Sequence, residues 1–171
     1  MTPSTADAGT GSASPASSPE GRPAGAIFAD FTAMAAEAVD ATETAGWTYA
    51  DGSPWDPANP DIVFTPTPCQ TSQGSGEDRY MQFELSGPAP EDSLAARDRM
   101  QAFLEERGYR ITRSIDAPPE SKPKRTHLVT AESPGGALID YGANDEEQLF
   151  FFESECSDHP SMEGDVSAET P

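Results

Sequence analysis

The sequence predicts an α+β fold: two helices packed on one face of a mostly antiparallel sheet of about five strands. Three observations carry that expectation. Two stretches, 26–44 and 90–107, place apolar residues at helical spacing. Segments between 79 and 153 alternate apolar and polar side chains, as half-buried strands do. The last strands are joined by "SPGG" and "GANDE", short connections rich in turn residues that suit antiparallel neighbours.

The first helix, 26–44, carries Ile27, Phe31, Met34, Ala35 and Ala38 along one stripe, and Gly46 stands where a left-handed cap would end it. The stretch "GWTYADGSPWDPANPDIVFTPTPC" follows, with Trp47, Tyr49 and Trp55 among Asp-Gly and Pro signals. It reads as an irregular loop with a short strand at 62–65. Residues 79–86 put Met81, Phe83 and Leu85 on one face and Tyr80, Gln82 and Glu84 on the other. In the second helix Pro90, Glu91 and Asp92 occupy the first turn, Ala96, Met100, Phe103 and Leu104 form the apolar face, and Gly108 ends it. In 109–115, Tyr109, Ile111, Arg113 and Ile115 share a face, which would set Arg113 among apolar neighbours and require an acidic partner there. Strands are expected at 125–132, 137–141 and 147–153.

The final strand leads into "LFFFESECS", the most apolar segment of the chain. Alternation assigns Phe150, Phe152, Ser154 and Cys156 to one face and Leu149, Phe151, Glu153 and Glu155 to the other. Phe150 and Phe152 belong to the helix-packed core. Leu149 and Phe151 then need a second cover: either the loop holding Trp47 and Trp55 folds over them, or these residues form a binding surface.

The organisation is read as a Ser/Thr/Ala/Gly/Pro-rich disordered tether over 1–25, a single α+β domain over 26–157, and a disordered acidic tail over 158–171. Thirty acidic against ten basic side chains give a formal net charge of -20. Such a surface repels nucleic acid, so no nucleic-acid partner is expected. Most of the basic residues fall between 97 and 125. Of these, Arg110, Arg113, Lys122, Lys124 and Arg125 form either a patch for an acidic or phosphate-bearing partner or an ordinary solvated loop, the plainer reading. No apolar run reaches the length of a transmembrane helix, and Met1 is not followed by the basic and apolar regions of a signal peptide.

The two cysteines, Cys69 and Cys156, lack the near neighbours of a zinc ribbon or a redox CxxC. They are two unrelated buried thiols or one long-range disulfide. Their positions, flanking the first core strand and ending the last, suit a staple, and we expect the disulfide of an oxidising compartment. No metal site is expected. Glu153, Glu155, Asp158 and His159 cluster without a known ligand spacing, and Asp51, Asp56 and Asp61 read as turn caps. Catalysis is not signalled either: there is no G-x-S-x-G around Ser75, Gly74 and Gly76 fit no phosphate loop, His159 lies in the tail, and His127 sits within a strand. No catalytic residue and no cofactor are assigned.

A small-residue linker, an amphipathic helix, "WDPANP", "TPC", "YMQFELSGP", "AARDRMQAFLEERGYRI" and a closing "FFFESEC" together resemble the small extracytoplasmic lipoproteins of actinobacteria, over about residues 26–157. The resemblance implies a lipidated cysteine preceding the linker and a domain at the outer face of the cytoplasmic membrane. The chain departs from that pattern in having Met1 and no lipobox, which fits the removal of a signal and anchor cysteine. The expected function is non-enzymatic binding of a protein, lipid or cell-wall component. The alternatives are a small envelope hydrolase or transferase, and a cytosolic acidic inhibitor or immunity-type protein.

Overall fold

The computed structural model describes residues 21–69, 78–118 and 125–170. Among the described residues two α-helices, α1 (Ala24–Ala41) and α2 (Ser93–Glu106), accompany ten strands. The longer strands are β5 (Gln82–Pro88), β6 (Arg110–Ile115), β7 (His127–Glu132), β8 (Leu138–Ala143) and β9 (Glu147–Glu153). The short ones are β1 (Thr48–Tyr49), β2 (Val63–Phe64), β3 (Thr67–Pro68), β4 (Arg79–Tyr80) and β10 (Val166–Ser167).

The main sheet has six strands in the order β1-β5-β9-β8-β7-β6. Strands β6 to β9 form the expected antiparallel meander, and the "SPGG" and "GANDE" connections close its last two hairpins. Strand β5 reaches across the chain to pair with β9, and β1 adds a two-residue edge. Two small pairs, β2 with β10 and β3 with β4, complete the pairing among the described residues.

Both helices serve one face of this sheet. Alternation from Met81 into β5 buries Met81, Phe83 and Leu85, and alternation in β9 buries Phe150 and Phe152, against Ile27, Phe31 and Ala35 of α1 and Ala96, Met100 and Leu104 of α2. Rings fill the middle: Phe83 lies 5.0 Å from Phe152 and 5.2 Å from Phe31, centroid to centroid. Asp92 caps α2 by accepting from the backbone N–H groups of Leu94 and Ala95 at 3.0 Å, so that helix starts three residues after Pro90. Gly108, at φ 80°, ends it as anticipated.

Four expectations are corrected. Helix α1 stops at Ala41 instead of 44: the Thr42 hydroxyl donates to the Val39 carbonyl at 2.6 Å, and the left-handed residue that follows is Glu43, at φ 57°, with Gly46 further on. Strand β6 carries a bulge between Ile111 and Arg113, so Ile111 faces Ala131 on the helix side while Arg113 and Ile115 face Thr130 and Leu128 on the other. Arg113 is therefore exposed and needs no buried partner. The tail is ordered through residue 170: Pro160–Glu163 form a 3-10 turn, β10 pairs with β2, and Met162 and Val166 are fully buried. The end of the proposed tether is ordered with it. The Gly21 N–H donates to the Asp158 carboxylate at 2.7 Å, and the Ala24 N–H donates to the Ser161 hydroxyl at 2.8 Å. These paired polar groups and two buried apolar side chains hold segments whose compositions read as disorder. Residues 1–20 lie outside the described residues.

Candidate binding surface

Because the helices cover one side of the sheet, every second residue of β5, β9, β8 and β7 projects to the other. Register arranges them in rows. Leu149 stands between Ser86 and Gly142, Phe151 between Glu84 and Asp140, and Glu153 between Gln82 and Leu138. One strand further, Leu128 faces Gly142 and Thr130 faces Asp140. Leu149 is 40% exposed and Phe151 half-buried. Together with Leu128 and Gly142 they line a groove of about 240 Å³ edged by Glu84 and Asp140. On the β8 side Gly142 lets the Thr126 methyl approach closely, since a Cβ there would come within 3.2 Å of it.

Trp47 and Trp55 do not cover this face. Trp47 is 4% exposed on the helix side, its ring 5.0 Å from Phe150 and its indole N–H donating to the Thr44 carbonyl at 3.0 Å. The close approach uses Gly87, where a Cβ would lie 2.6 Å from the indole ring. Trp55 is stacked 5.3 Å from Phe83. The four aromatic and aliphatic residues grouped from the sequence thus divide: Trp47 and Trp55 join the core side, Leu149 and Phe151 the open side.

Three carboxylates, Glu84, Asp140 and Glu153, edge the apolar residues of the open face. Removal from water, reinforced by the neighbouring Asp140 carboxylate, raises the Glu153 pKa above the ordinary carboxylate value. Asp140 itself accepts a hydrogen bond from the Thr130 hydroxyl. Of the five basic residues grouped from the sequence, three are described. Arg110 pairs with Glu132 at one end of β6, Arg125 donates from Nε to the Ala117 carbonyl at 2.6 Å beyond the other end, and Arg113 lies on the open face. Lys122 and Lys124 lie outside the described residues.

The remaining candidates have structural partners. His127 is buried, and its Nδ1 accepts from the Ala117 N–H at 3.3 Å. Burial first, and then the positive charges of Arg125 and Arg97, lower its pKa. His159 caps the 3-10 turn by accepting from the Ser161 N–H at 3.2 Å. Glu155 pairs with Arg22 at 3.1 Å and Asp158 holds Gly21, so the acids near the last strand end serve the fold. Asp51 and Asp56 cap turns, accepting from Ser53 and Ala58 N–H groups at 2.9 Å. Among the described residues no group of three or more His, Cys, Asp or Glu side chains is placed to share a metal ion. Ser75, Gly74 and Gly76 lie outside the described residues.

Cys69 and Cys156 are brought together in disulfide geometry, with their Cα atoms 6.3 Å apart. Backbone bonds frame the pair: the Cys69 N–H donates to the Asp78 carbonyl at 2.8 Å, and Arg79 and Ser157 exchange two bonds at 2.9 Å.

Two buried polar side chains that spacing did not single out organise the interior. Arg97 is 5% exposed, donates to Ser114 at 2.8 Å and pairs with Asp116 and Asp98, joining α2 to the end of β6. Gln148 accepts from the Tyr141 hydroxyl at 2.5 Å and donates to the Pro88 carbonyl at 2.8 Å and to the Thr44 hydroxyl at 3.2 Å. A polar residue one position before an apolar run carries no signal of burial.

No family model matches the chain, and no curated protein does. Among solved structures, the chain is similar to a DUF4853 family protein from Actinomyces odontolyticus, with 9% sequence identity and a TM-score of 0.45. The likeness covers 79% of this chain and 66% of that one, so the chain spans just under two thirds of that structure's length.

Proposed function

We propose that this chain is a non-enzymatic binding module that works outside the cytoplasm, tethered to the outer face of the membrane by a lipid anchor ahead of its linker. It engages a protein partner through the helix-free face of the sheet. The observation that carries this reading is the placing of Leu149 beside Phe151 on a face that no helix among the described residues covers, inside a frame of Glu84, Asp140 and Glu153. An apolar centre in an acidic frame fits a partner with an apolar contact ringed by lysine or arginine. The same acids, on a chain of net charge -20, disfavour anionic lipid headgroups and phosphate-bearing polymers. The cysteine pair supports an oxidising compartment, and the structural partners of His127 and His159 support a non-catalytic role.

The test expresses the native precursor in the cell that produces it, beside a Leu149→Lys, Phe151→Lys double variant. Proteins bound in the cell are fixed, isolated and identified. The reading expects an envelope protein of basic surface, enriched on the native protein and lost on the variant, while both melt at similar temperatures. Equal recovery on both, or recovery only of cytosolic proteins, would refute it.

A further inference from the structure

We infer that a second site, adjoining the open face at the edge of β5, binds a small organic cation: a protonated or quaternary amine on an apolar body. The site is the groove between the loop after β1 and the outer edge of β5. Its origin is the brevity of β1, which pairs only with Leu85 and Ser86 of β5. The Gln82 to Glu84 stretch of β5 runs past it, and the loop forms the opposite wall. The groove is open to solvent along one side and holds about 640 Å³.

Its lining has two chemical components. The half-buried rings of Tyr49 and Phe151 supply aromatic contact above the buried Phe83, whose own faces are stacked on Trp55, Phe64 and Phe152, and Asp51, Asp61 and Glu84 supply three carboxylates. No lysine or arginine lies among the described lining residues to neutralise them. Aromatic faces and carboxylates both attract a large, weakly hydrated cation, whereas an anion would meet repulsion from each. A compact metal ion is not the matching ligand, because these acids are not gathered closely enough to share one. Asp51 is held in its ionised form by the Ser53 hydroxyl at 2.6 Å and the Ser53 N–H at 2.9 Å, which lower its pKa. The field of the whole chain concentrates cations at such a groove. Glu84 and Phe151 are shared with the open face, but Asp51, Asp61, Tyr49 and Phe83 are not, so the two sites can be tested apart.

The test is calorimetric titration of the full chain at low ionic strength with benzyltrimethylammonium chloride, with benzyl alcohol as the neutral probe. Saturable one-to-one binding of the cation is expected, with the alcohol at least tenfold weaker. The Asp51→Asn, Asp61→Asn variant should weaken the cation about tenfold, since asparagine keeps the turn cap at 51, position 61 caps no turn but donates its N–H to Asn59, and two charges are removed. A Glu105→Gln, Glu106→Gln variant, which removes the same charge from the exposed end of α2, should change affinity less than twofold. Equal binding of the two probes, equal losses from the two variants, or no binding of the cation at millimolar concentration would each overturn the assignment.

Discussion

Replacing Cys69 and Cys156 together by serine isolates the staple between the first and last parts of the domain. The two residues are 87 positions apart. In the chain-entropy model, closing a loop of that length removes about 15 cal/mol/K from the unfolded chain, or about 4.6 kcal/mol at 25 °C. Little in the folded state offsets this. Cys156 is exposed and Cys69 half-buried, so serine hydroxyls reach water, and the Arg79–Ser157 bridge beside them stays intact. The loss should therefore arise in the unfolded ensemble, which expands when the link is cut. At about 2 to 4 °C per kcal/mol for a domain of this size, the melting temperature should fall by roughly 9 to 18 °C. Urea unfolding supplies the second readout: the serine variant should show a lower midpoint and a steeper slope, because its unfolded chain exposes more surface. Stability within about 1 kcal/mol of the untreated protein, with an unchanged slope, would refute the reasoning. So would a native mass equal to that of the fully reduced chain.

Three further outcomes follow from particular contacts. Met162→Ala should destabilise the domain by about 2 to 5 kcal/mol, measured by urea unfolding, because its side chain is 1% exposed beneath the 3-10 turn; a neutral effect would return the tail to disorder. Gly87→Ala should cost about 1 to 3 kcal/mol and change the near-ultraviolet signal of Trp47, since the new methyl group meets the indole ring. Glu153→Gln should raise the melting temperature at pH 7. The native carboxyl titrates above its ordinary 4.5, so its favourable contribution exists below that value and is lost as pH rises through the raised one. Melts at pH 7 and pH 4 should therefore show a gain at the first that disappears at the second.

Much of the sheet was legible because two-residue alternation is a strong signal wherever one face is buried. From Met81 into β5, and in β9, it separated Met81, Phe83, Leu85, Phe150 and Phe152 from their neighbours, and turn chemistry fixed the meander. The same alternation misplaced Arg113, because one bulged residue reverses every side chain beyond it. The tail was misread because Met162 and Val166 are too few to form a pattern, and what orders them is contact with a strand about a hundred residues away. Arg97 and Gln148 escaped notice because burial of a polar side chain depends on partners from other elements. Of the candidate surface, Leu149 and Phe151 were legible as the second face of their strand. Which side Trp47 and Trp55 would cover was not, since loop direction is set by tertiary contacts such as the space left at Gly87.

If the helix-free sheet face is the working surface, a partner must lie within bond-forming reach of Leu149. A photoactivatable residue is placed at Leu149, or at the exposed Ala102 of α2 as a control, in the protein made by its own cell. A discrete covalent adduct with an envelope protein should form from position 149 and none from position 102. The same adducts from both positions, or none from 149, would contradict that role for the face.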